Sequence, residues 1–376
     1  MKIVLLWSDA LFFLLIGAAV LGGIWAARTE HLRVGWRRVG QSRVGMGAAA
    51  VLAVFFVIAA VDSLHYRQQL PDSPQGESRY SAEVLSALDA LLVPLRTRTE
   101  KTYSAPLATH LYAKETLDDA GRDFPPLSYP GTHLFGTDKV GQDVLYLTLK
   151  SIRTGLLIGT LTTLIMLPAA VFLGLLAGYA GGWIDDVIQY LYTTLNSIPG
   201  VLLIAAAILM MQVAIDNHPE WFATSAERAD ARLLALCAIL GITSWTGLCR
   251  LLRGETLKLR ELEYVQAAQA LGVSGARILW RHILPNVMHI VMIAIVMDFS
   301  GLVLAEAVLS YVGIGVDPNT ISFGTMINTA RMELAREPMV WWSLAAAFAF
   351  MFVLVLAANL FADALRDAFD PRMVER

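Results

Sequence analysis

The chain reads as an all-α protein that crosses a membrane several times. Three observations predict this. Hydrophobic residues make up 56% of the 376-residue chain and charged residues only 16%, against roughly 25% charged in a soluble domain. The apolar residues gather into runs of about the 20 needed to cross a bilayer. The arginines and lysines concentrate in a few short segments between those runs. A net charge of −3 says nothing about nucleic acid, and the bilayer is the partner that the apolar composition implies.

Seven runs meet or approach the length of a span, at 9–27, 45–62, 154–179, 191–215, 232–250, 287–312 and 340–361. The third, fourth and seventh carry no charge. The sixth carries Asp298 and Glu306. A cleaved leader at 1–27 is disfavoured, because its charged region is a single lysine, Lys2, and no small-x-small site follows. Loop 28–43 holds Arg28, Arg33, Arg37, Arg38 and Arg43, and loop 250–286 holds Arg250, Arg253, Lys258, Arg260, Arg277 and Arg281. Basic short loops stay inside, so both are expected to be cytoplasmic. The C-terminal tail, with Arg366, Arg372 and Arg376, then also lies inside, and the N-terminus outside.

Between the second and third runs, residues 63–150 form a polar stretch, expected outside. Its prolines, among them Pro71, Pro74, Pro94, Pro125 and Pro126, argue against an independent core, and Ser81–Val93 suits a short amphipathic helix. Cys237 and Cys249 fit no metal or redox spacing and read as small buried residues. Trp341 and Trp342 suit an interfacial belt. The histidines show no metal-ligand spacing, and no catalytic arrangement is found, so no catalytic or metal site is assigned. No G-x-x-x-x-G-K-[ST] occurs, so nothing here cradles a nucleotide phosphate.

The most informative segment is Tyr264–Asn286, YVQAAQALGVSGARILWRHILPN. Small Ala267 and Ala268 allow close approach, and Gly272 can take the positive φ that joins two helices. Pro285 lacks a donor and disfavours helix at Leu284, so a break is expected there. Elsewhere the chain reads HLFGTDKVGQDV at 133–144, AGYAGGW at 177–183, Ser197-Ile198-Pro199 at the start of the fourth span, AEAVLSYVGIGV at 305–316, and ALRDAFDPR at 364–372. Asp138 and Asp143 can cap donors where the chain enters the third span. Asp185 and Asp186 follow a Gly-Gly turn, where they cap the next helix or contact a partner. Pro168 is expected to kink a span, and Pro199 to start one.

In this order the motifs resemble the permeases of the dipeptide/oligopeptide/nickel family of ABC importers, closest to the C-type subunit, over about 43–376. Gln142 stands where the family has Arg, and Gln266 where its "EAA" coupling loop has Glu. Glu261 and Glu263 lie near enough to Gln266 to substitute for that Glu. The resemblance implies a six-helix ABC importer transmembrane core plus one extra N-terminal membrane helix. The divisions are 1–43 for the extra helix and basic loop, 44–62 for the first core helix, 63–150 for a periplasmic loop, and 151–376 for the transmembrane domain with coupling loop 251–286. It implies a homologous permease subunit, two ATPase subunits that bind ATP and Mg, and a periplasmic solute-binding protein, in a bacterial cytoplasmic membrane. No cofactor is expected in this chain. Gln266, Ala267, Ala268, Gly272, Leu284 and Pro285 are the implied ATPase-coupling residues. Asp298 and Glu306, eight apart and so on about one face, are candidates to line the translocation path, since ionisable groups at membrane depth are costly. Residues 1–27 lie outside the resemblance and are expected to be dispensable for transport. The alternatives are a nickel or other small-cargo importer, a non-transporting scaffold, or a membrane enzyme.

Overall fold

The computed structural model describes residues 2–28, 30–69, 80–117, 121–222 and 224–369. Pro71, Pro74, Arg372 and Arg376, and the end of the 364–372 motif, lie outside them. Among the described residues seven helical stretches are long and apolar enough to cross a membrane: Trp7–Ile24, Arg43–Asp62, Val144–Ala180, Gly200–Asn217, Ser225–Arg260, Gly275–Val312 and Trp342–Phe369. They answer one for one to the seven runs.

The chain opens with a strand, β1 (Lys2–Val4), then α1 (Trp7–Arg28), α2 (Glu30–Gln41) and α3 (Arg43–Asp62). The basic segment expected to be a loop is therefore largely the helix α2. Arg33 and Arg37 fall on the side away from Gly35 and Val39, which pack on the end of the last helix, and Arg38 flanks that packed face. Ser42 caps α3 by accepting from the Gly45 amide at 3.1 Å, which marks the boundary between α2 and α3.

The described residues of 63–143 form a small outer layer. Strand β2 (His65–Arg67) pairs antiparallel with β1, Lys2 opposite Arg67, and with β3 (Leu85–Ser86). Two one-turn helices follow, α4 (Ala87–Leu91) and α5 (Val93–Thr97), then a hairpin of β4 (Glu115–Leu117) and β5 (Gly121–Asp123). The helix expected over Ser81–Val93 is thus reduced to α4. Its first two residues after the turn are claimed by pairing with β2, and a Ser86–Asp89 capping box starts the helix. Among the described residues the layer shares its core with the bundle. Tyr103 packs into the same buried cluster as the membrane helices.

Helix α6 (Val144–Ala180) is 37 residues long, with Pro168 inside it. It begins ten residues before the charge-free run because Asp143 caps it, accepting from the Leu145 amide at 2.8 Å. Lys150 and Arg153 therefore lie on the helix, each paired to acids. Then come α7 (Gly182–Ser197), α8 (Gly200–Asn217), α9 (Ser225–Ser244) and α10 (Thr246–Arg260). The fourth span starts at 200 rather than 191. Pro199 ends the amphipathic α7 and opens α8, so residues 191–197 belong to the preceding helix. The chain finishes with α11 (Glu263–Ala270), α12 (Gly275–Ile278), a π-helical turn over Leu279–Ile283, α13 (Leu284–Val312), α14 (Phe323–Glu333) and α15 (Trp342–Phe369).

Helix α6 is the axis of the bundle. Its outer half joins α3, α9, α13 and α15 in one buried cluster. Its inner half joins α10, α11 and the start of α13 in a second. Gly174 and Gly178 make the second possible. A Cβ on Gly174 would stand 2.7 Å from the Cys249 carbonyl, and one on Gly178 2.7 Å from the Arg253 carbonyl. Helix α10 therefore lies directly against α6.

The extra N-terminal helix is integrated into this bundle rather than appended to it. The Asp9 carboxylate, fully buried, accepts from Arg153 of α6 at 2.5 Å and lies 2.7 Å from His65 Nδ1. The Ser8 amide donates to Asp230 of α9 at 3.2 Å. Phe12 stacks on Phe56 of α3. The outer layer and the 313–341 connection meet on the same side. Tyr112 donates to the Met339 carbonyl at 3.1 Å, and Trp342 Nε1 to the Thr137 carbonyl at 2.9 Å. Trp342 is thus interior, while its neighbour Trp341 is exposed as a belt residue would be.

Candidate functional site

Two features stand at the end of the bundle opposite the outer layer: an exposed helix–turn–helix over 261–283, and a cavity between α10, α13 and α15. The first is built on the glycine that the sequence marked. Gly272 has φ of +77°. It turns the chain after α11, and the Val273 amide returns to the Ala268 carbonyl at 3.0 Å.

Val265, Ala268, Ile278 and Ile283 are the inward anchors, all buried in the cluster with Ala177 and Leu252. Gly275 lies against the Tyr179 ring, where an added Cβ would approach Cε1 to 2.9 Å. Asn286 donates to Tyr264 Oη at 3.0 Å and closes the base of the loop. Outward face Gln266, Ala267, Leu271 at 84% exposure and Trp280 at 71%.

This divides the residues that the sequence grouped together. Gln266 and Ala267 are exposed. Ala268 is not, because at i+3 from Val265 it shares that residue's inward face. Leu284 is half-buried and Pro285 exposed. The break expected at Pro285 is absent. The chain widens into the π turn instead, with the Leu284 amide bonded to the Leu279 carbonyl, and Pro285 occupies the first turn of α13, where its missing donor is not needed. Sequence reading passed over Leu271 and Trp280. The signal for Leu271 is a large apolar residue beside a positive-φ glycine, and for Trp280 a large apolar residue between the basic Arg277 and Arg281.

The loop is braced by an ion pair that local sequence does not reveal. Asp185, near the start of α7, accepts two bonds from Arg253 of α10, at 2.6 and 2.7 Å, and one from Gln189 at 3.0 Å. The Arg253 bonds hold its carboxyl below the ordinary carboxylate range, against the upward push of burial. Asp185 is therefore a brace, and Gly181, not an aspartate side chain, occupies the cap position of α7.

The cavity measures about 680 Å³ and is lined by Leu248, Leu251, Ile293 and Met297 with four ionisable residues, Glu255, His289, Asp298 and Arg366. Asp298 has no hydrogen-bond partner among the described residues, so its carboxylate is available to what enters. Glu306 has a different setting. It is buried, accepts from Ser310 at 2.6 Å and from Ser322 at 2.8 Å, and joins α13 to the start of α14. The two acids share α13 but not the cavity, because they sit two turns apart and the outer turn is covered by α14.

The GTDKVGQDV segment is equally structural. Gly136 and Gly141 have φ of +70° and +76°. Asp138 accepts from the Val140 and Gln142 amides at 2.9 and 2.8 Å, and Asp143 holds His133 at 2.9 Å while capping α6.

A helical bundle with a polar cavity reaching into it and an exposed loop beneath is the architecture of a membrane transport permease. Residues 170–375 match the family described as binding-protein-dependent transport system inner membrane components, and the chain belongs to that family. It is similar to the oligopeptide transport system permease protein OppC of Mycobacterium tuberculosis, 32% identical over 246 residues, covering 65% of this chain and 78% of that one. The dipeptide transport system permease protein DppC of Lactococcus lactis is 27% identical over 347 residues, 90% of each chain. The glutathione transport system permease protein GsiD of Pectobacterium atrosepticum is 33% identical over 243 residues, 64% of this chain and 73% of that one.

Proposed function

We propose that this chain is one permease subunit of an ABC importer that moves di- or oligopeptides inward across the bacterial cytoplasmic membrane. A homologous permease completes the pathway, two ATPase subunits bind ATP and Mg and dock on the 261–283 loop, and a periplasmic binding protein delivers cargo to the outer layer. The N-terminus is then periplasmic and the C-terminus cytoplasmic.

The observation that carries this reading is the construction of the loop, with Val265, Ala268, Ile278 and Ile283 sunk into the cluster around α6 and α10, and Gln266, Ala267 and Leu271 left outside. Force applied to the outer face reaches α6 and α10 through a packed contact, because interiors are dense and deform little. The helix that leaves the loop is α13, which bears Asp298. Closure of the ATPases thus moves the cavity wall. The cargo contributes its differential affinity for the two states. A peptide suits the cavity chemically: Asp298 faces its ammonium and Arg366 its carboxylate. The peptide and glutathione permeases among its relatives support the same cargo class.

The test is purification with the co-encoded partners, followed by ATP hydrolysis in the presence of candidate binding proteins loaded with defined peptides. Stimulation by the peptide-loaded form supports the reading. Stimulation only by a nickel-loaded or sugar-loaded binding protein would replace the cargo, and co-purification without any ATPase would overturn the transporter itself.

A further inference from the structure

We infer that α1, α2 and the bundle together form a binding site for an anionic phospholipid, on the bilayer leaflet that meets α2. Helix α1 touches α3 at the outer end, through Phe12 and Phe56. Farther along, an apolar furrow separates it from the bundle. One part, about 310 Å³, is lined by Leu15, Leu52, Phe56, Leu164, Phe299 and Phe361. The adjoining part, about 640 Å³, runs along α1 past Ala19 and Val20. The two share Leu15, Phe56 and Thr160, so they form one channel. In a membrane-spanning bundle such a channel is filled by a hydrocarbon chain, since an empty apolar void forfeits dispersion contacts.

The charge on α2, which begins ten residues beyond Val20, selects the headgroup. Helix α2 joins the ends of α1 and α3 on one side of the bundle, 12 residues long and so about 18 Å. Gly35 and Val39 seat it on Phe369 and Leu365 of α15. Arg33 and Arg37 are exposed and Arg38 half-exposed, and no acid whose side chain is described pairs with any of them. Exposed Val34 and Trp36 flank the seated face. A short helix with apolar flanks and unpaired arginines lies in the interface and favours anionic headgroups. Guanidinium forks bind phosphate in two-point fashion.

The full-length chain, released from native membranes and exchanged into nanodiscs of equal phosphatidylglycerol and phosphatidylcholine, tests this by native mass spectrometry of the lipids it retains. Phosphatidylglycerol is expected to be enriched about tenfold or more over phosphatidylcholine, given the contribution of each arginine near a charged surface. Combined Arg33→Gln, Arg37→Gln and Arg38→Gln should bring the ratio to near one, while the three Arg→Lys replacements keep most of it. Ala19→Phe, which fills the furrow without touching α2, should lower the total lipid retained. Equal enrichment in the Arg→Gln variant and the parent would overturn the site. So would a cysteine at Ala19 that cross-links to the partner permease subunit, because protein would then occupy the furrow.

Discussion

At the scale of single residues, the loop over 261–283 separates contact from support. Leu271, almost fully exposed, is a contact residue in the proposed assembly. Leu271→Glu should leave the permease within about 0.5 kcal/mol of its parent stability, as surface changes do, yet weaken co-purification of the ATPase. Ala268→Trp should do the reverse in order of cause. It overfills the chain's own core, at about 1–3 kcal/mol, and a lower melting temperature of the isolated permease should accompany any loss of ATPase. If the isolated Ala268→Trp protein melts like its parent, the inward assignment of Ala268 is wrong. Gly272→Val forces a β-branched residue to φ of +77°, a cost on the order of 1–3 kcal/mol, whereas Gly272→Asn should retain most coupling because Asn tolerates that region. Gln266→Glu, on an exposed side chain, should behave nearly as the parent in coupled ATP hydrolysis. The turn at Gly272 could be read from sequence because a positive φ is a local demand that glycine meets. The burial of Ala268 could not, since alanine is equally at home on either face and only the Val265 register decides.

Among elements, the informative links are long-range ion pairs. Asp185 and Arg253 are 68 positions apart, and Asp9 and Arg153 are 144 apart, so no window of sequence contains both members. Periodicity found the helices and missed what fastens them. Asp185→Asn should loosen α7 from α10 by about 1–3 kcal/mol, the usual range for a hydrogen bond to a charged group, seen as faster amide exchange at the start of α7. The Asp185 carboxyl is held below its ordinary value near 3.8. Its contribution is therefore complete above that value and is lost as pH falls through the lowered one. The protection factors at α7, with the intrinsic pH dependence of amide exchange divided out, should stay flat from pH 7 to about 4 and fall only in stronger acid, while the Asn variant shows no such step. A chain beginning near Arg33 would leave Arg153 without Asp9 and Asp230 without the Ser8 amide. Burying such groups unpaired costs several kcal/mol, so this truncation should reduce membrane abundance and thermal stability. An undiminished truncated protein would show instead that the helix is separable, as its position outside the family resemblance suggested.

On the scale of the whole molecule, the fold was nearly all present in the hydropathy pattern, because lipid demands long apolar helices and little else. The pattern placed seven spans but not their ends. Helix α6 starts at Asp143's cap rather than where charge ceases, and α8 starts at Pro199 rather than where apolarity begins. The structure puts the described residues of 63–143, with 313–341, on one side and the 261–283 loop on the other. The proposed absolute sides rest on the arginines. In intact cells, an impermeant thiol reagent should label a cysteine placed at Ser81 and spare one at Ser42, on a background lacking Cys237 and Cys249. The opposite pattern would invert the proposed topology. Asp298→Asn should lower peptide-stimulated hydrolysis while leaving assembly intact, whereas Glu306→Gln, which disturbs the seat of α14, should lower thermal stability first.

The π turn at Leu279–Ile283 carries a further consequence. It inserts one residue more than an α-helical turn holds, and each residue advances a helix by about 100°. A π turn bonds i to i+5 and winds less per residue than an α turn, so the surplus residue is absorbed locally, like a shim taking up slack under a shaft. Removing a single residue between Leu279 and Ile283 should convert the turn to regular helix and leave Asp298 on the cavity wall. Inserting a residue into the regular helix between the turn and Asp298 should instead wind the rest of α13 by about a quarter turn and swing Asp298 off that wall.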